Sequence, residues 1–89
     1  MVHLIVMTQG TDHELTQAEK FFAAADGWHR LEPGVWIVAT EIAAAQWRDF
    51  LTKHLPETCF LIASLSGTWA TSRGMKTAAE WLRGSREWF

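Results

Sequence analysis

Pro33-Gly34 separates two short β-prone runs, Trp28–Glu32 and Val35–Thr40, and no other feature constrains the fold as tightly. Proline fixes one backbone angle and glycine frees the next, so the pair specifies a hairpin. Each side of the hairpin carries a helix-forming stretch and, beyond it, a compact apolar run. Upstream, His3-Leu4-Ile5-Val6-Met7 is short, apolar without alternation and followed by Gln9-Gly10, the mark of a covered strand. Thr11 and Glu14 then have the spacing of a capping box. Leu15, Ala18, Phe22 and Ala25 recur at helical spacing with Phe21 beside them, and Asp26-Gly27 offers a left-handed exit. Downstream, Ala43-Ala44-Ala45-Gln46 are strong helix formers, and Trp47, Phe50, Leu51, His54 and Leu55 line one face up to Pro56. Cys59 to Ala63 with Leu65 reads as the closing strand, ended by Ser66-Gly67.

The order is strand, helix, strand, strand, helix, strand. Two right-handed β-α-β crossovers closing on one sheet give an α+β fold, a ferredoxin-like βαββαβ sandwich. Its antiparallel four-stranded sheet carries two helices on one face, and the other face is left partly bare. Trp36 and Val38 fall on one side of their strand and Val35, Ile37 and Ala39 on the other, which places that strand inside the sheet. With 89 residues a single domain is expected. Residues 1–67 form its core and 68–89 an extension of the same domain. Thr68 to Thr71 either extends as an edge strand or crosses the surface. Thr77 and Glu80 have capping-box spacing ahead of Trp81-Leu82, so a short last helix is expected near Lys76 to Arg83.

Six tryptophans and five phenylalanines exceed what so small an interior hides, so some are expected to cover a partner or a second copy of the chain. Trp47, Trp81 and Trp36 suit the core. Trp28, Trp69 and Trp88, with His29, Arg30 and Arg73, are the candidate interface residues. The net charge of −2 does not favour nucleic acid, although it leaves nucleic acid possible. Charge is uneven: after Glu57, Arg73, Lys76, Arg83 and Arg86 oppose only Glu80 and Glu87. A lone Cys59 in an apolar run makes no internal disulfide and is expected to be buried, in a reducing compartment. No apolar stretch reaches the roughly 20 residues of a membrane span and no charged, apolar leader opens the chain. A soluble, cytoplasmic protein without membrane contact is expected.

No motif names a reaction. His3, His13, His29, His54 and Cys59 lack a spacing that would set two metal ligands on one helix face or hairpin. Ser64, Ser66 and Cys59 lack the surroundings that position a nucleophile. Gly67 and Gly74 bracket Thr68, Thr71, Ser72 and Arg73, a segment that reads as a plain loop or as a backbone cradle for an anion. No catalytic residue, metal site or cofactor is assigned.

Three stretches carry a family resemblance: His3-Leu4-Ile5-Val6 at the start, Gly27-Trp28-His29 with Val35-Trp36-Ile37-Val38 in the hairpin, and Leu65-Ser66-Gly67 ahead of Trp81-Leu82. By them the chain resembles the SinR-like relatives of the CRISPR-associated Cas-two family, small ferredoxin-like proteins that usually pair as dimers. The resemblance implies a homodimer and a protein or nucleoprotein partner in a prokaryotic defence or anti-defence setting. In the nuclease members an aspartate ends the first strand, and two of them, one per subunit, hold a divalent metal. Here Met7-Thr8-Gln9 stands in that place, offering a thioether, a hydroxyl and an amide where hard cations prefer carboxylates. The leading expectation is therefore a non-catalytic, dimeric interaction protein. One alternative is a metal-dependent endonuclease on RNA or DNA with its carboxylates moved to Asp12, Glu14 or Asp26. A second is a small-ligand sensor using the bare sheet face.

Overall fold

The computed structural model describes residues 1–89. Its elements run β1 (Val2–Thr8), α1 (Asp12–Ala23), β2 (Gly27–Glu32), β3 (Val35–Ala39), α2 (Ala44–His54), β4 (Cys59–Leu65) and α3 (Lys76–Gly84), closing with a 3-10 turn at Arg86–Trp88. The sheet order is β2-β3-β1-β4 with every neighbouring pair antiparallel, the ferredoxin-like arrangement. No helix is long and apolar enough to cross a membrane.

Local chemistry places several of these boundaries. Thr11 caps α1 as its spacing predicts: its hydroxyl oxygen accepts from the Glu14 N–H at 3.2 Å and the Glu14 carboxylate accepts from the Thr11 N–H at 3.1 Å. In the hairpin, Gly34 has φ +90°, a conformation costly for any residue with a Cβ. Its carbonyl accepts from the Met7 N–H at 2.8 Å, which ties the turn to the end of β1. Gln46 Oε1 accepts from the Ala43 N–H at 3.0 Å and closes the start of α2.

The helix-facing side of the sheet buries Ile5, Met7, Trp36 and Val38 against Ala18 and Phe22 of α1 and Trp47 and Leu51 of α2, with Leu55 at the end of α2. Phe22 lies 4.8 Å from Trp36 and 5.5 Å from Trp47, ring centroid to centroid. The Trp36 indole also donates to Glu19 Oε1 at 3.1 Å, so the N–H of this fully buried ring is satisfied.

The opposite side of the sheet is not bare for most of its length. Leu82 from α3 joins Val2, Ile37 and Ala39 in a second buried cluster, edged by Leu4, Leu31, Leu65, Trp69, Trp81 and Trp88. Three local expectations, at Gly27, Thr77 and Cys59, are corrected by this packing, and the open choice at residues 68–71 is decided. Gly27 is no left-handed exit: α1 ends at Ala24 with right-handed angles, and Gly27 opens β2 where a Cβ would stand 3.5 Å from both Ala39 Cβ and the Trp81 ring. Thr77 does not cap α3, because the helix starts at Lys76 after Met75 and leaves Thr77 inside the first turn. Residues 68–71 form no strand and cross the surface. Cys59 is exposed, because β4 is an edge strand and Cys59 lies at the end of the sheet that α3 does not reach. On α2, Phe50 and His54 turn away from the core; with Phe21 of α1 they make an aromatic cluster at the seam between the helices, with centroids 4.4–5.4 Å apart.

Candidate interaction surface

The two sheet edges differ in chemistry. Along β2 the sequence alternates Trp28, Arg30 and Glu32 with His29 and Leu31, the register shifts between Arg30 and Glu32, and Pro33 follows at once. Charges, a bulge and a proline are the devices that keep an edge from pairing with another chain. β4 has none of them. Its seven residues, Cys59 to Leu65, are uncharged, and its register with β1 runs without interruption from Val2 opposite Leu65 to Thr8 opposite Cys59. From Thr58 to Ser72 the chain has no ionisable side chain other than Cys59.

Cross-strand register divides the second face into apolar rows. Ala39, Val2 and Leu65 form one row and Ile37, Leu4 and Ala63 the next; the third is Val35, Val6 and Leu61. The extension buries Val2, Ala39 and Ile37 of the first two rows; in the third, Val35 and Val6 are half-buried and Leu61 is 63% exposed. An unprotected strand edge thus borders an apolar strip on the same side of the molecule.

Behind β4 its position is fixed by polar ties. His3, fully buried, donates through Nε2 to the Ile42 carbonyl at 2.7 Å, since a carbonyl oxygen can only accept. Its Nδ1 lies 3.0 Å from the Ser64 hydroxyl, a second hydrogen bond of the same ring. A serine beside a histidine is the start of a nucleophile–base pair. None of the cavities in the molecule is lined by either residue, so the pair serves as a clip joining β4, β1 and the start of α2. Sequence reasoning missed it: the partners are 61 residues apart, and the only signal was that His3 shares a face with Ile5 and Met7. At the other end of β4, the Thr58 hydroxyl donates to Glu14 Oε2. That bond and those from Thr11 lower the Glu14 pKa below its ordinary value.

The loop after β1 contains no carboxylate. Met7 is buried in the helix-side core, and Thr8 and Gln9 are exposed, with Gln9 at φ 57° and its Oε1 3.7 Å from the Cys59 sulfur. Asp12 lies in the first turn of α1, where the helix dipole favours it. No group of three or more His, Cys, Asp or Glu side chains is arranged to hold a metal.

The six residues expected at an interface are not brought together. Trp28 and Arg30 lie on the helix-facing side of β2, with Arg30 3.3 Å from Glu19. His29 lies on the other side, its ring 6.4 Å from that of Trp81 and nearly parallel to it. Trp69 and Trp88 pack against the Leu82 cluster, and Arg73 is exposed on the connecting segment. Much of the aromatic surplus therefore covers the chain's own second face. Between α1 and α2, Phe21, Ile42, Trp47 and Phe50 line an open cavity of about 460 Å³. Trp47 Nε1 is the one buried side-chain polar atom without a hydrogen-bond partner.

Comparison with protein-family models, with curated proteins and with solved structures returned no match.

Proposed function

We propose that this protein is a non-catalytic interaction domain that pairs with a second copy of itself through the outer edge of β4 and presents the paired sheet to a protein partner. The observation that carries the reading is the unprotected edge of β4 with Leu61 exposed along it. Antiparallel pairing of one strand with its own copy is self-complementary, as a two-fold interface requires, and would extend each four-stranded sheet into one of eight. Each new backbone hydrogen bond contributes about 1 kcal/mol net. Covering Leu61 would add roughly 1–2 kcal/mol. The β2 edge, with its charges and bulge, is poorly suited to the same role. The neutral side chains of Met7, Thr8 and Gln9 favour binding over metal-dependent cleavage.

Sedimentation equilibrium tests the pairing. The native chain is expected at twice its 10.1 kDa mass, and Leu61→Lys, which adds a charge at the edge, at 10.1 kDa. A native monomer, or a dimer untouched by Leu61→Lys, would refute it. The non-catalytic half is tested separately by a magnesium titration followed by NMR, in which saturable shifts at Thr8 and Asp12 would count against it.

A further inference from the structure

The two arginines of the core are neutralised and the three of the extension are not. Arg30 lies 3.3 Å from Glu19 and Arg48 3.0 Å from Asp49, whereas Arg73, Arg83 and Arg86 take part in none of the ion pairs. Neither Arg83 nor Arg86 makes a side-chain hydrogen bond, so all the donors of both guanidiniums are free for a ligand. These two residues line one cavity of about 460 Å³ together with Trp69, Phe89 and Gly67. No carboxylate-bearing side chain is in that lining. Trp69 is held by its packing against the Leu82 cluster, so one wall of the cavity is a fixed aromatic ring, while Phe89 is more exposed.

Two free guanidiniums match the oxygens of a phosphate, to which arginine bonds through paired N–H groups. Aromatic walls beside them accept the flat ring of a nucleobase by stacking, since every base offers a π-face. We propose that this cavity binds a nucleoside monophosphate, with the phosphate on Arg83 and Arg86 and the base against Trp69 and Phe89. The phosphorylated end of a short single strand presents the same chemistry. The site is separate from the β4 edge and rests on no assumption about dimerisation.

The test is a titration of the isotope-labelled full chain with AMP, followed by NMR, with the Trp69 indole signal identified by its loss in Trp69→Phe. A saturable shift of that signal is expected, together with shifts at Gly67 and Arg86. The double substitution Arg83→Gln with Arg86→Gln should weaken binding about tenfold or more. Both residues are exposed, so the double variant should keep the native melting temperature. Arg73→Gln, outside the cavity, should leave affinity within about twofold, since a distant surface charge is screened by salt. Adenosine and inorganic phosphate, each lacking half of the ligand, should bind more weakly than AMP. A 5′-phosphorylated tetranucleotide separates the sources: tighter binding than AMP assigns a strand end, and equal or weaker binding assigns the free nucleotide. If neither AMP nor the tetranucleotide shifts the Trp69 signal saturably, or if the double variant binds as the native chain does, the proposal is wrong.

Discussion

The strands at the two margins of the sheet share one backbone geometry and are finished in opposite ways. β2 is charged and irregular, with Arg30 tied to Glu19, a shifted register and Pro33 at its end. β4 is regular and uncharged, and its ties all point inward, from Ser64 to His3 and from neighbouring Thr58 to Glu14. One margin is closed to further pairing by its chemistry; the other is held rigid from behind and left open in front. A strand held in this way loses little conformational freedom on pairing, which lowers the entropic cost of association.

Substitutions can break this contrast with effects of decreasing size on the stability of a single chain. Trp36→Ala, beneath the β2 side, empties the centre of the helix-facing core and should cost about 3–5 kcal/mol in chemical denaturation. His3→Leu leaves the Ser64 hydroxyl and the Ile42 carbonyl without their partner on the β4 side, and about 1–3 kcal/mol is expected by the same method. A smaller effect should follow acidification. Because the Glu14 pKa is lowered in the folded chain, its carboxylate stabilises the fold above its unfolded pKa, and that contribution is lost as pH falls through the folded value. Melting temperatures of the native chain and Glu14→Gln should therefore differ at neutral pH and converge in acid; a constant difference would remove Glu14 from the β4 clamp. Leu61→Lys should change the stability of the monomer least, within about 0.5 kcal/mol, because it alters only exposed surface.

The same contrast explains what could be read from residue order. Thr11 with Glu14 and Pro33 with Gly34 act over one turn of chain, so their spacing alone predicts the α1 cap and the hairpin. Alternation within β3 gave its two faces for the same reason. Thr77 with Glu80 has equally good spacing and makes no cap, because the packing of Ala78, Ala79 and Leu82 against the sheet decides where α3 begins. Asp26-Gly27 has the look of a helix exit, yet α1 already ends at Ala24 and Gly27 pairs with Ala39 of β3, a partner that only the strand order supplies. The exposure of Cys59 and the openness of β4 depend on strand order and on how far the extension reaches, which no local pattern encodes. The cavity at Arg83 and Arg86 exists only once the chain folds back to Gly67 and Trp69.

Backbone amide hydrogen exchange at low and high protein concentration, compared between the two marginal strands, addresses the pairing of β4 most directly. If β4 joins its own copy, the outward-facing amides among Cys59–Leu65 slow as concentration rises and those of Gly27–Glu32 do not change. Exchange in β4 that is independent of concentration, or slowing confined to β2, would contradict it.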